Sequence, residues 1–461
     1  MKLRIEENMI LMKYQTFRVL TVRACSILFV MLCLLSNIQA QKQYGTPFEG
    51  VPDRRDASIY QVNMRVFSKE GNFRGVIARL DSIHALGFNV VYLMPIYPVG
   101  QVRSVNSPYC IRDYTSVNKE FGTLDDLREL VDGAHTRGMA VILDFVANHT
   151  AYDHPWTQNK SWYLQDKEDN IISPPGMGWN DVAQLNFKNQ EMRSALIAAM
   201  KYWALEANID GFRCDYSNGP PYDFWKQSLD TIQNIRSRRF LMLSEGSRSD
   251  HFKAGFDYNF GFRFFHHLKG VFEDKESARA IDTLNAREYV GAEPGQRVVR
   301  YTSNHDVNGS DGTPLELFGG TKGSVAAFVI ATYMKSVPML YGGQEVGTPF
   351  RLTFPFTSTK IDWTLNPELT AEYKKIILFW NGSVALRRGE PVSYTSDDAC
   401  AFVKKEGSEE VFVLVNVRNR PVTYTLPGAV SGKWKNEFSG KETKLAKAIS
   451  LEPYQYLVFK R

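Results

Sequence analysis

Four acids in this chain stand at or just beyond the ends of short apolar runs. Val141-Ile142-Leu143 runs into Asp144, with Asn148 and His149 just beyond it. Gly211-Phe212-Arg213-Cys214 runs into Asp215, Phe240–Ser244 into Glu245, and Val298–Ser303 into Asn304-His305-Asp306. Any one of these, alone, reads most simply as a solvated acid at a strand end. Four of them on successive runs point to a shared site. Two carboxyl groups can cleave a glycosidic bond, one attacking the anomeric carbon and the other protonating the leaving oxygen, and a retaining pair lies about 5–5.5 Å apart. Neighbouring strand ends can deliver that separation for Asp215 and Glu245. Arg213 precedes Asp215 by two residues, so the period of a strand puts both on one face. A cation there lowers the carboxyl's pKa and favours a charged nucleophile. Glu245 follows the apolar run Phe240-Leu-Met-Leu-Ser244, and burial raises a carboxyl towards the range of a general acid/base.

The elements that must carry these acids form a recognisable alternation. Runs such as Asn89–Met94, Met139–Phe145 and Asp210–Cys214 are apolar and β-branched, and amphipathic stretches such as Leu124–Arg137 and Gln190–Leu205 separate them. Continuous apolar runs mark parallel strands covered by helices on the outside. Repeated βα units over about 300 residues predict an α/β fold, a (β/α)8 TIM barrel, with catalytic groups at the C-terminal strand ends. The barrel is expected to occupy residues 41–388. Residues 147–186 break the periodicity and are rich in Trp, Asp, Asn, Pro and Gly; they read as a short insertion after strand 3, too long for an ordinary βα loop. Past Gly389 the pattern changes to alternating strands at Ala401–Lys404, Glu410–Asn416, Val422–Leu426 and Tyr456–Phe459. Residues 389–461 are therefore expected to form a C-terminal antiparallel β-sandwich.

Composition limits the alternatives. The chain has 461 residues, 44% hydrophobic and 23% charged, within the range of ordinary globular proteins. Of its formal charge of +5, the first 40 residues carry +3 through Lys2, Arg4, Lys13, Arg18 and Arg23 against Glu6 and Glu7. The remaining +2 leaves no basic stripe for nucleic acid and suits a neutral substrate. Residues 1–40 have the grammar of a secretory signal peptide: a basic stretch to Arg23, an apolar run from Ser26 to Leu35, and a polar end at Ala40. The apolar run is too short to span a bilayer. Export to a periplasm or beyond is the expectation, with no membrane span after signal removal. Cys110, Cys214 and Cys400 would remain, an odd number without paired spacing, so neither a disulfide framework nor a cysteine metal site is expected.

Taken in order, these segments resemble the α-amylase superfamily, glycoside hydrolase family thirteen. Asp144-Phe-Val-Ala-Asn148-His149 resembles its first conserved region, Gly211-Phe-Arg213-Cys-Asp215 its second, Glu245 the acid of its third, and Asn304-His305-Asp306 its fourth. Gly87–Pro95 is similar to the second-strand signature, Tyr109–Gly122 to the stretch carrying a sugar-stacking tyrosine, and Tyr341–Glu345 to the segment at the eighth strand. The resemblance runs from about Ser58 to Arg388 and implies a starch-type α-glucan as substrate. It implies Asp215 as nucleophile, Glu245 as acid/base and Asp306 as transition-state stabiliser. It further implies substrate contacts from Tyr109, His149, Arg213 and His305, with Asp144 bracing the same wall. The insertion's aromatics Trp156, Trp162, Tyr163 and Trp179 are read either as sugar-stacking rings or as the packing of a small subdomain.

Two departures from the family pattern bear on function. Asp215 is followed by Tyr216-Ser217-Asn218-Gly219, so the Lys-His pair that serves the leaving-group sugar in many α-1,4-acting members is missing. The resemblance implies no cofactor for the chemistry but does imply a structural calcium. Asn148 matches one of its ligands and Asp181 is an added oxygen donor, whereas Gln184-Leu-Asn186 replaces the usual Asp-Leu-Asn. Three functions compete: hydrolysis of α-glucans through a covalent intermediate, transglycosylation or disaccharide isomerisation on the same acids, and non-catalytic sugar binding. Linkage, endo or exo action and oligomeric state leave no trace in the sequence.

Overall fold

Eight parallel strands close into a barrel: β1 (Ile59–Val62), β2 (Val90–Leu93), β3 (Ala140–Val146), β4 (Gly211–Asp215), β5 (Leu241–Ser244), β6 (Tyr258–Phe260), β7 (Arg297–Tyr301) and β8 (Val337–Tyr341). Each pairs with its neighbours in sequence, and β1 pairs with β8. Every strand residue is buried, which is why these segments read as continuous apolar runs rather than alternations. The structure is a computed structural model describing residues 43–235 and 238–461, and Gly45–Arg461 form one compact unit. The expected signal segment lies outside the described residues. Among those described, no helix is long and apolar enough to cross a membrane.

The outer helices follow their sequence signals. Leu124–Thr136 begins at a Thr123/Asp126 capping box and buries Leu127, Leu130, Val131 and Ala134, one face of a 3.6-residue period. Gln190–Glu206 begins at Asn189, whose side chain accepts the Met192 N–H, and buries Met192, Leu196, Met200 and Trp203.

Two expectations about the strands need correction. Asp144 does not end its strand but lies inside β3, opposite Arg213 of β4, with Val146 opposite Asp215. The four acids also do not sit on strictly successive strands, because β6 intervenes between Glu245 and β7. Glu245 follows β5 directly, and its N–H donates to the Cys214 carbonyl at 2.9 Å. That bond extends the β4–β5 ladder by one residue and sets Glu245 beside Asp215. Gly211, at the start of β4, has φ +156°, and a Cβ there would stand 2.0 Å from the Leu241 carbonyl oxygen. The approach of β4 to β5 therefore requires glycine.

The insertion after β3 is bounded by two antiparallel strands, His149–Ala151 and Val182–Gln184. Its aromatics divide between the two readings. Trp156 packs on Trp162 at 5.2 Å and on Tyr114, and Tyr163 is buried, whereas Trp179 faces the cleft described below. Beyond Gly389, a six-stranded antiparallel sheet from Pro391 to Lys460 is joined by the pair Val422–Thr425 and Ala448–Leu451. Its alternation is strict: Cys400, Phe402, Val411 and Val413 join the barrel core, while Ala401, Phe412 and Leu414 pack with Tyr424 and Leu451. Cys110, Cys214 and Cys400 are buried free thiols.

Candidate active site

At the C-terminal end of the barrel, one guanidinium holds three of the acids. Arg213 Nη1 donates to Asp144 Oδ1 at 2.7 Å and to Asp215 Oδ1 at 2.9 Å, and Nη2 pairs with Glu245 Oε1. Adjacent strands lie about 4.8 Å apart, so a single planar cation between β4 and β5 fixes the two carboxyls at a spacing compatible with a retaining pair. With Oδ1 tied to Arg213, Asp215 keeps Oδ2 for attack. The Tyr216 N–H donates to Glu245 Oε2 at 2.8 Å and fixes the rotation of that carboxyl.

Beneath this group lies a second layer. Arg213 and Asp144 are both fully buried: Asp144 lies in the wall it was expected to brace, and Arg213, expected to contact sugar, is enclosed by the acids it pairs with. Asp144 Oδ2 accepts the Tyr92 hydroxyl at 2.6 Å and the Tyr109 hydroxyl at 3.1 Å, and its backbone carbonyl accepts the Tyr97 hydroxyl at 2.8 Å. Tyr109 Oη also lies 2.6 Å from His305 Nε2, and Gln61 Nε2 lies 2.8 Å from His305 Nδ1. Read as a chain, Gln61 donates to Nδ1, Nε2–H donates to Tyr109, and Tyr109 donates to Asp144, which fixes the tautomer of His305. Gln61 and Tyr92 escaped the sequence reading. Gln61 carried one signal, a polar side chain inside the buried run Ile59–Val62.

Asp306 stands in the first turn of the helix His305–Ser310, capped by Asn304 Oδ1, which accepts the Asp306 and Val307 N–H groups at 2.8 and 2.9 Å. Its carboxyl is 59% exposed and lies 3.4 Å from His305 Nε2, so it reaches into the cleft from the loop that follows β7. Asp215, Glu245, Asp306, Tyr109, His149 and His305 all line one open cleft of about 1060 Å³. The rim adds residues the sequence did not single out, among them Phe262, Val105 and Phe354, the last two more than half exposed.

Burial dominates the protonation of this site. It pushes Glu245 up to about 7 against the pull of Arg213, with the charge of Asp306 assisting. Burial, and then the charge of Glu245, also push Asp215 well above the usual carboxylate range. Arg213 does pull Asp215 down, as expected from sequence, but burial outweighs it. Two such carboxyls titrate as a pair. Arg213 touches both and pulls both down, so the two carboxyls share its charge. Burial lowers His149 to about 4 and lowers His305 as well, so both imidazoles are neutral hydrogen-bonding groups at pH 7.

The residues expected to hold calcium do not fit a cation. Asn148 Nδ2 donates to Gln184 Oε1 at 3.1 Å, and Gln184 Nε2 donates to the Asn148 backbone carbonyl at 2.9 Å. These amide protons point where a cation would need oxygen, and calcium takes six to eight oxygen ligands. Asp181 lines the main cleft, whereas Asn148 borders a separate depression with Gln184 and Gly219. Among the described residues, no group of three His, Cys, Asp or Glu is disposed to hold a metal.

Comparison with known proteins agrees with this geometry. Residues 50–353 match the family model described as the catalytic domain of α-amylase. Alpha-amylase 2 of Dictyoglomus thermophilum is 27% identical over 415 residues, spanning 80% of this chain and 67% of that protein. A cyclomaltodextrinase of Geobacillus thermopakistaniensis is 26% identical over 428 residues, covering 84% and 70%. The crystal structure of an α-amylase from Lactobacillus plantarum superposes with a TM-score of 0.80 at 24% identity, over 89% of this chain and 99% of that one, and so shares the fold. With its four conserved regions converging on one cleft, the chain belongs to the α-amylase superfamily, glycoside hydrolase family thirteen.

Proposed function

We propose that the protein hydrolyses α-glucans or malto-oligosaccharides with retention of configuration. The observation that carries this reading is the single Arg213 guanidinium bridging Asp215 and Glu245 on adjacent strand ends. Asp215 Oδ2 attacks the anomeric carbon while Glu245 gives its proton to the leaving oxygen, forming a glycosyl ester and releasing the first sugar product. Glu245, now ionised, takes a proton from water, whose oxygen attacks the anomeric carbon and frees Asp215. Asp306, His305 and His149 are placed to hold the sugar's hydroxyls. Several relatives support the substrate class by name, including a neopullulanase of Thermoactinomyces vulgaris. The presence of all three acids in one cleft gives no support to a binding-only role.

Export is part of this proposal, supported by the basic and apolar segments before Gln41. N-terminal sequencing of the mature protein should return Gln41. For the activity, products from maltoheptaose, pullulan, isomaltotriose and trehalose are to be compared between residues 41–461 and the Glu245→Gln variant. Cleavage of a glucan that the variant fails to cleave is expected. Unchanged turnover in Glu245→Gln, or no cleavage of any of the four, would overturn the reading.

A further inference from the structure

The wall beside Glu245 is built from two aromatic rings. Tyr216 follows the nucleophile with φ +40°, and through its N–H it is tied to the acid whose proton goes to the leaving oxygen. Its ring meets Trp179 edge to face, at 4.9 Å and 82°. Trp179 in turn meets His149 at 5.6 Å, and the Tyr216 hydroxyl reaches Met177 Sδ at 3.5 Å. Trp179 thus spans from His149, on the side of the reacting sugar, to Tyr216, on the side of the acid. Both rings are half-buried and both line the cleft. The turn that delivers Trp179 carries Gly176 and Gly178 at φ +75° and +73°, a left-handed path open to glycine.

We propose that Trp179, with Tyr216 against it, forms the platform on which the leaving-group sugar rests, making Trp179 a specificity-determining residue. The proposal rests on the retaining-hydrolase reading above. The face of an aromatic ring is electron-rich and attracts the polarised C–H bonds of a pyranose, and contact removes apolar surface of both from water. Both rings line the cleft that holds Asp215 and Glu245, and Tyr216 is bonded through its N–H to the acid that protonates the leaving oxygen. A platform that holds the leaving sugar while its bond is still partly formed acts on kcat/KM for substrates with such a sugar. It has nothing to hold when the leaving group is a single atom.

The test compares maltotriose with α-D-glucosyl fluoride, whose leaving group is fluoride. In Trp179→Ala the ratio of kcat/KM values, maltotriose over fluoride, should fall about tenfold or more. Trp179→Phe, which keeps a ring face, should restore most of that ratio, while Trp179→Leu, which fills space without one, should not. Thermal unfolding of each variant checks that the fold is kept. A ratio unchanged in Trp179→Ala and Trp179→Leu, whether both rates hold or fall together, overturns the platform. Failure of the unmodified enzyme to hydrolyse either substrate overturns the α-glucosidic reading of the site instead.

Discussion

Asn148 and Gln184 hold one another by a reciprocal pair of amide hydrogen bonds, Asn148 Nδ2 to Gln184 Oε1 at 3.1 Å and Gln184 Nε2 to Asn148 Oδ1 at 3.3 Å. Gln184 Nε2 also donates to the Asn148 and Leu185 backbone carbonyls, at 2.9 and 3.0 Å. The pair is buried and joins the start of the insertion to its end, across the strands led by His149 and closed by Gln184. Side-chain amides thereby do the bracing that the family resemblance assigned to calcium.

Stability should accordingly be indifferent to calcium. Thermal unfolding in EDTA and in millimolar CaCl2 is expected to give midpoints within about 1 °C, since a ligand stabilises only if the folded state binds it. Gln184→Glu replaces the amide donor with an acceptor, sets it against the Asn148 carbonyl and takes the side-chain donor from the Leu185 carbonyl. Urea unfolding should then show a loss of about 1–3 kcal/mol.

Gly211→Ala should be far more damaging than an ordinary surface change. The added Cβ would meet the Leu241 carbonyl oxygen at 2.0 Å, a backbone atom fixed in the barrel. Relief requires β4 and β5 to separate, and these strands carry Asp215 and Glu245. The variant is expected to fail to fold, or to lose several kcal/mol in urea unfolding together with activity. A soluble variant with native kinetics would show that the strands are not held at this spacing.

Much of this arrangement was legible because chemistry and periodicity coincide in the same residues. Asp144, Asp215, Glu245 and Asp306 follow or interrupt apolar runs long enough to be recognised as strands. β6 was not legible, since Tyr258–Phe260 has only three residues and shows no period. Tyr92 looked like core in the run Val90-Val-Tyr-Leu93, and only the fold shows its hydroxyl on Asp144. The balance of charges was beyond the sequence too: Arg213 next to Asp215 suggested a depressed pKa, but the cost of burial depends on the whole cleft. Trp179 could be named as an aromatic of the insertion, and three-dimensional placement was needed to separate it from Trp156 and Trp162.

Asp144→Asn tests the buried layer. The substitution keeps an acceptor for Tyr92 and Tyr109 but removes the charge facing Arg213 Nη1. Breaking a buried ion pair on one side costs about 3–5 kcal/mol, which urea unfolding can measure. Released from β3, the guanidinium no longer fixes Asp215 against Glu245, and a misplacement of that kind lowers kcat by about a hundredfold. The fall should be in kcat more than in KM, because Asp144 lies under the cleft floor and touches no sugar. A KM effect alone would put Asp144 in direct contact with substrate and overturn its bracing role.

Glu245 links catalysis and stability through one proton. Its carboxyl is raised by burial to about 7 in the folded protein, against an ordinary value near 4.5, so between those pH values the folded state holds a proton that the unfolded state has released. The stability this proton confers is complete below about 4.5 and is lost as pH rises through about 7. Glu245→Gln cannot ionise and escapes that loss. In urea unfolding the variant should therefore gain on the parent between pH 5 and pH 8, by on the order of 1–3 kcal/mol. Asp257, raised by burial to about 6, titrates in both proteins and cancels, whereas Asp215, raised in part by the charge of Glu245, is relieved of that charge in the variant and adds to its gain. The same proton is needed for the leaving oxygen, so kcat/KM of the parent should decline above about pH 7, where free Glu245 loses it. The two measurements must agree on the pH at which they turn. A stability gap that stays flat with pH, beside a rate that still falls above 7, would assign the catalytic proton to another group.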